Sequence, residues 1–149
     1  MAAPRPLIER LTALRLGIDR QGDHAVEDAV AALIEDGELA RHAWRARRIY
    51  AVRRSLLCDE LRRTFGARLD FAVPTGGLAV WARARRIDVE RWAARALDGG
   101  VLFHSARRFT FDRRARPFVR LGFAVCDERE LREAVRRMSH AIYSGRHSN

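Results

Sequence analysis

The longest uninterrupted helical pattern in the chain is ELARHAWRARRIYAVRRSLLCDELRRTF, from Glu38 to Phe65. No proline or glycine breaks it, and arginines such as Arg41, Arg45, Arg48, Arg54 and Arg62 are spread over its other faces. The residues of that stripe recur at helical spacing: Leu39, Ala43, Ala46, Tyr50, Leu57 and Leu61. Such spacing places apolar side chains on one face of a helix. The stretch therefore predicts one long amphipathic helix, which Gly66 ends.

Two shorter helices are predicted on the N-terminal side of this stretch. A leucine-rich pattern begins at Leu7, after two prolines, and is expected to end at Gly17. Asp19 to Asp23 is predicted to be a polar loop. Asp23 is expected to cap a second helix, Ala25 to Asp36, because an aspartate side chain accepts hydrogen bonds from the free N–H groups of a first helical turn.

The region after Gly66 alternates short strands with helices. Strands are predicted at Leu69–Val73, Leu78–Ala84, Val101–His104 and Phe118–Val125. Asp88 and Asp127 are the expected caps of two helices, which end at Leu97 and near Tyr143. Long helices followed by this alternation predict an α/β fold, more fully an α+β two-layer sandwich in which a small mixed sheet is covered by helices.

Composition limits the function classes. The net charge is +10, and all 29 basic residues are arginine, with no lysine in the chain. The hydrophobic share of 48% is enough for a core, and 149 residues fit a single domain. No apolar run is long enough to cross a membrane, and two cysteines do not make a disulfide framework. We therefore expect a cytoplasmic protein with no membrane partner.

Motifs for independent catalysis are missing from the sequence. The chain contains no nucleophile elbow, phosphate-binding loop or dinucleotide fingerprint. Its five histidines have no metal-ligand spacing, and its acidic residues do not form a catalytic pair. We expect no metal site and no catalytic residue in this chain.

Three segments, taken in order, resemble one family. They are the Glu38–Leu57 part of the long helix, the turn Pro74-Thr75-Gly76-Gly77-Leu78, and Gly100-Val-Leu-Phe followed after a loop by Phe118-Val-Arg-Leu-Gly-Phe-Ala. Their order is similar to that in the C-terminal small domain of fold-type I aminotransferases, which use pyridoxal phosphate. It looks closest to the aminotransferase-like domain of GntR-type transcriptional regulators of the MocR group. The resemblance covers the chain from about Pro4 to Ile142.

The resemblance implies a particular division of the chain. Residues 1–37 would be N-terminal helices from the interdomain region, 38–143 the small domain, and 144–149 a loose tail. In such proteins the Schiff-base lysine and most groups that hold pyridoxal phosphate lie upstream, in a large domain. The resemblance thus implies a truncated piece of a dimeric parent, with the missing large domain or a homodimer partner as its neighbour. DNA would be bound only through an N-terminal domain absent from this chain, and no cofactor is expected for this chain alone.

The same resemblance implies two site elements. In the family, the arginine of the Arg-Leu-Gly-Phe strand, here Arg120, grips the α-carboxylate of an amino-acid-like ligand. Thr75, Gly76 and Gly77 would lie near the substrate cleft. From the residues alone, Arg120 is one of 29 arginines, and a tight turn between two strands needs no ligand. The chain also departs from the family at Ala79, where a histidine or an aromatic residue is frequent.

Other functions stay open at this point. The chain could be a free-standing basic module that reuses this fold with an acidic or separately encoded partner. Arg41, Arg45 and Arg48 on the long helix could form a nucleic-acid face, although no docking motif accompanies them. An autonomous aminotransferase is excluded because arginine stays protonated and cannot replace a Schiff-base lysine. Whether the parent is a working transaminase or a regulator is left open.

Overall fold

A computed structural model describes residues 3–18 and 22–143. The helices are α1 Arg5–Ile18, α2 His24–Glu35, α3 Glu38–Phe65, α4 Val89–Asp98 and α5 Glu128–Tyr143. The strands are β1 Leu69–Asp70, β2 Ala79–Ala84, β3 His104–Ser105 and β4 Phe118–Gly122. Short 3₁₀ turns lie at Gly66–Arg68 and Ala106–Phe109. Most of the predicted loop at 19–23 and all of the predicted loose tail at 144–149 lie outside the described residues.

The helices follow the local sequence signals. The long helix α3 has the predicted bounds. The Asp23 carboxylate accepts a hydrogen bond from the Val26 N–H at 3.3 Å, and that of Asp88 accepts one from the Arg91 N–H at 3.1 Å. Asp127 caps α5 through a reciprocal pair of hydrogen bonds with Glu130, at 2.7 and 2.8 Å. The predicted end of α1 at Gly17 was wrong by one residue, since the helix includes that glycine.

The chain divides into two compact units, Met1–Arg45 and Ala46–Asn149. The first unit contains α1, α2 and the start of α3, and no residue of α1 or α2 is buried. The second unit contains the sheet, α4, α5 and the hydrophobic core. The expected division into residues 1–37, 38–143 and 144–149 stays a prediction.

The sheet has the strand order β1-β2-β4-β3, and all its described pairings are antiparallel. The predicted α/β fold class is confirmed, whereas the expected mixed sheet is not found in the described residues. In the longest ladder, Ala79 lies opposite Gly122, Trp81 opposite Arg120 and Arg83 opposite Phe118. Because β4 lies between β2 and β3, the connection from β2 through α4 to β3 skips one strand position, whereas β1 and β2, and β3 and β4, are direct neighbours.

All four strands are shorter than predicted, β2 by a single residue. Near the other three, hydrogen bonds to other groups hold the chain away from the ladder. Arg54 of α3 donates to the Pro74 carbonyl at 3.0 Å, which ties the segment after β1 to the helix. Arg53 similarly donates to the Ala124 carbonyl at 2.6 Å after β4 ends. The N–H of Val101 donates to the Ala96 carbonyl, so it closes the end of α4 and does not begin β3.

One face of the sheet is buried against the helices of the second unit. Alternate residues of β2 and β4 point into this core, with the C-terminal half of α3 and the inner faces of α4 and α5. Trp92 of α4 is 2% exposed and contacts the rings of Phe65 and Phe103, with centroids 5.6 and 4.7 Å away. Its indole N–H donates to the Met138 carbonyl at 2.8 Å, which joins α4 to α5.

We predict that Leu61→Ala lowers the free energy of unfolding by about 2–5 kcal/mol, because it removes a fully buried side chain and leaves a cavity. Urea unfolding followed by circular dichroism measures the change. Leu102→Ala is the matched control, since Leu102 is 69% exposed and its truncation should shift the unfolding free energy by about 0.5 kcal/mol or less. Equal losses in the two variants would contradict this description of the core.

Candidate functional site

Arg120 lies on the sheet face opposite the core. Its neighbours in β4, Val119 and Leu121, are buried, so the alternation of a strand directs Arg120 outward. Trp81 of β2 and His104 of β3 lie directly opposite Arg120 on either side. The three side chains therefore form one row across three strands, with the arginine in the middle.

Phe109, at the end of the second 3₁₀ turn, packs onto this row. Its ring centroid is 5.3 Å from that of Trp81 and 6.1 Å from that of His104, both in edge-on geometry. The guanidinium carbon of Arg120 lies over the Phe109 ring at 5.8 Å from its centroid, within the range of a cation–π contact. We call Trp81, His104, Phe109 and Arg120 the Arg120 cluster.

The cluster carries positive charge without an acidic partner. Among residues 3–18 and 22–143, no carboxylate lies within 4 Å of the Arg120 guanidinium. Desolvation lowers the pKa of His104 below its ordinary value, and the charges of Arg108 and then Arg120 lower it further. A guanidinium on a rigid strand presents two parallel donors to a planar carboxylate. The arrangement is suited to binding a carboxylate, with a neutral imidazole beside it.

The predicted cleft turn is an exposed bend between β1 and β2. Thr75, Gly76 and Gly77 are all exposed, and Gly77 has a φ of 78°, a conformation that favours glycine. A Cβ built at Gly76 or Gly77 would meet no atom within 4 Å, so no described group approaches these glycines closely. In the described part of the chain, no hydrogen bond, ion pair or ring contact joins the turn to Arg120. The roles of Arg120, Thr75, Gly76 and Gly77 stay predictions.

Sequence reasoning missed three members of the Arg120 cluster. Trp81, His104 and Phe109 lie in three separate segments, and no local motif groups them with Arg120. Strand alternation could have placed Trp81 on the outward face, because Val80 and Ala82 are apolar core residues. No local signal, however, shows which residue of β4 lies opposite which residue of β2 or β3.

Metal binding, thiol reactivity and membrane crossing find no support in the described residues. They contain no group of three or more side chains suited to hold a metal ion. Burial raises the pKa of the Cys58 thiol, which makes it a weaker nucleophile at neutral pH. None of the helices in the described ranges is long and apolar enough to cross a membrane.

We predict that Arg108→Gln and Arg120→Gln each raise the pKa of His104, because each removes a positive charge that opposes protonation of the imidazole. An NMR titration of the imidazole protons measures the shift. The value should stay below the ordinary one, since desolvation persists. Because the folded-state pKa is lowered, stability should fall as the pH drops below about 6.5. An unchanged pKa in both variants would contradict the charge coupling.

No family model matches the chain, but two sequence relatives do. Aromatic-amino-acid aminotransferase 1 of Thermococcus litoralis is 24% identical over 143 residues, which are 95% of this chain and 34% of the relative. The uncharacterized HTH-type transcriptional regulator YdfD of Bacillus subtilis is 22% identical over 136 residues, 91% of this chain and 28% of that protein. The chain thus spans about a third of the length of the curated relatives it matches.

Solved structures share the fold. LysN, the α-aminoadipate aminotransferase of Thermus thermophilus, solved with N-(5'-phosphopyridoxyl)-L-leucine, superimposes with a TM-score of 0.80 at 25% identity. The match covers 96% of this chain and 36% of LysN. The resemblance inferred from the three sequence segments is confirmed: over nearly its whole length, this chain resembles about one third of a fold-type I aminotransferase and of an HTH-type regulator.

Proposed function

We propose that this chain is the C-terminal small domain of a pyridoxal-phosphate-dependent aminotransferase-like protein and supplies the arginine that binds the substrate carboxylate. The observation that carries the proposal is the Arg120 guanidinium, which lies on the central part of the sheet with no acidic partner among the described residues. The relatives support the family: one acts on aromatic amino acids, and LysN was solved with a phosphopyridoxyl-leucine adduct. An α-amino acid or its 2-oxo acid is therefore the ligand class that we assign to the whole protein.

The residues of this chain do not fit a complete cofactor site. Pyridoxal phosphate supplies an electron sink for carbanion chemistry when it is bound as a Schiff base with a lysine. This chain has no lysine, and an arginine stays protonated at neutral pH. The Schiff-base lysine of the proposed parent must then belong to another segment or subunit, and no catalytic step is assigned to this chain.

The role of this chain in the proposed protein is positioning. Strand β4 fixes the base of Arg120, and its guanidinium carbon lies over the Phe109 ring. The in-plane N–H groups of the fork stay available to a carboxylate. Trp81 and His104 border the guanidinium on both sides, where they limit how a ligand can approach.

The exposed apolar surface supports a part of a larger protein over a free-standing module. No residue of α1 or α2 is buried, and these helices expose the apolar side chains Leu7, Leu11, Leu14, Leu16, Ile18, Val26, Val30, Leu33 and Ile34. Exposed apolar patches in soluble proteins mark surfaces that bind other protein. A large domain or a second copy of the parent would cover them, and a module adapted to stand alone would carry polar residues there.

The parent's finer identity is also proposed. It is either a class I/II aminotransferase or a MocR-type regulator, acts as a dimer in the cytoplasm, and contacts DNA, in the regulator case, only through a separate N-terminal domain. The similarity to an HTH-type regulator supports the second option, and the similarity to LysN and the Thermococcus litoralis aminotransferase supports the first. The chain itself is not expected to transaminate.

We predict that titration of the purified chain with pyridoxal phosphate gives no saturable absorbance change and no rise in the melting temperature. The reason is that no lysine is present to form the internal Schiff base. Absorbance, circular dichroism and thermal melting are recorded on the same samples, with a lysine-containing aminotransferase as the positive control. Saturable binding that stabilises the fold would show that this chain holds the cofactor by itself and would refute the proposal.

We further predict that 4-methyl-2-oxopentanoate, the 2-oxo acid of leucine, shifts the NMR signals of Trp81, His104 and Phe109. Arg120→Gln should weaken this binding about tenfold or more, because charge-assisted hydrogen bonds contribute about 1.5–3 kcal/mol. Arg120→Lys keeps the charge but loses the forked donor geometry, so its affinity should lie between those of the unmodified chain and Arg120→Gln. Arg62→Gln, on α3, removes an equal charge and should leave the binding unchanged. Equal weakening in Arg62→Gln and Arg120→Gln would show that the overall charge of the chain, and not the Arg120 fork, is responsible for the binding.

A further inference from the structure

A second cationic site lies on the second unit and shares no residue with the Arg120 cluster. It is a cleft of about 1050 Å³ between the end of β2, the loop that follows, the start of α4 and the 3₁₀ turn before β1. Six arginines line it: Arg68, Arg83, Arg85, Arg86, Arg91 and Arg95. We call it the six-arginine cleft. Its volume is at the upper end of the range for small-molecule sites.

Secondary structure concentrates these charges. Arg91 and Arg95 are four residues apart on α4, so they lie on the same helix face, about 6 Å apart along the axis. Arg83 lies near the end of β2, and Arg85 and Arg86 follow in the loop. Arg86 has a φ of 56°, a conformation that non-glycine residues adopt rarely.

Among the described residues, two of the six arginines have a side-chain partner and four have none. The Arg85 guanidinium pairs with the Asp70 carboxylate at 2.6 Å, and that of Arg68 donates to the Tyr143 hydroxyl at 2.7 Å. The acidic residue in the lining, Asp88, is engaged with the backbone N–H of Arg91 as the cap of α4. Within the described ranges, no ion pair neutralises the remaining four, which are Arg83, Arg86, Arg91 and Arg95.

This surplus points to the kind of ligand. Guanidinium groups bind phosphate and carboxylate oxygens in pairs of parallel hydrogen bonds. Four arginines without an ion pair in the described ranges line this cleft, Arg83 from the side of β2 that faces away from the core. Four such charges exceed what a single phosphate can engage, so the matching ligand carries several linked phosphate groups. Crowded like charges also destabilise the compact state, and a polyanion would relieve that repulsion.

The lining argues against a nucleic-acid strand. Proteins that bind single strands stack the bases on exposed aromatic rings beside the basic groove. The aromatic residue in this lining, Trp92, is 2% exposed, and its N–H is committed to Met138. The cleft therefore offers charge without a stacking surface.

We propose that the six-arginine cleft binds a small oligophosphate anion, either inorganic triphosphate or the triphosphate group of a nucleotide. The site does not depend on the proposed carboxylate role of Arg120, and the two proposals can fail separately.

The test uses the full chain in isothermal titration calorimetry and thermal melting, with inorganic triphosphate, ATP and inorganic phosphate at constant ionic strength. We expect saturable triphosphate binding with a rise in melting temperature, and binding of inorganic phosphate at least tenfold weaker. The ATP titration distinguishes the two ligands. If ATP binds more tightly than inorganic triphosphate, the ligand is a nucleotide; if ATP binds more weakly, the ligand is the inorganic anion. No saturable triphosphate binding, or phosphate binding as tight as triphosphate, would overturn the proposal.

Matched variants separate a built site from overall charge. Arg91→Gln/Arg95→Gln should weaken triphosphate binding at least tenfold, and Arg83→Gln/Arg86→Gln should do the same from the other side of the cleft. The control Arg45→Gln/Arg47→Gln removes the same two charges from exposed positions of α3 and should change the affinity less than twofold. Circular dichroism of each unliganded variant establishes that it is folded. If one of the two cleft double variants unfolds, the other serves as the test. Equal losses of triphosphate affinity in the cleft and control variants would overturn the proposal. Tight binding of a single-stranded oligonucleotide or a polyglutamate peptide, with no binding of triphosphate, would also overturn it.

Discussion

The burial of Val119 and Leu121 in the core is the constraint on which the fold and the candidate site both depend. Since side chains alternate along a strand, these two contacts force Arg120 to the open face of the sheet. A slip of one residue in the pairing of β4 would move the guanidinium into the core and the two apolar side chains into water. A buried charge without a partner costs several kcal/mol, so the core residues hold the register that positions the arginine.

The same register explains how far sequence could predict this molecule. The bounds of α3 and the caps Asp23, Asp88 and Asp127 were predicted because helices and their ends depend on residues a few positions apart. Strand ends depend on contacts distant in sequence, such as that of Arg53 with the Ala124 carbonyl, 71 residues away, and all four strands were predicted too long.

The candidate site shows the same limit. Arg120 could be proposed from the sequence because it belongs to a short contiguous motif that resembles a family pattern; its role stays a prediction. Trp81, His104 and Phe109 come from three other segments, and only strand pairing and the second 3₁₀ turn bring them to the arginine.

The two units of the chain differ in how they are stabilised. Helices of 14 and 12 residues are marginal in water unless an apolar face is packed, and α1 and α2 bury no residue. Their stability therefore depends on a surface outside themselves, whereas the second unit has its own core.

The exclusive use of arginine connects the two proposed binding sites. An arginine keeps its charge at every physiological pH, so the charges at Arg120 and in the six-arginine cleft do not vary with pH. At Glu133 arginines act on an acid: hydrogen bonds from Arg136 and then Arg137 lower the pKa of Glu133 to about 2. At Arg120 and at four cleft arginines, no acid of the described residues plays that part. A chain without lysine lacks the amine that covalent pyridoxal chemistry needs, but its arginines supply the forked donors that bind carboxylate and phosphate groups. The arginine-only composition therefore favours the binding of anions.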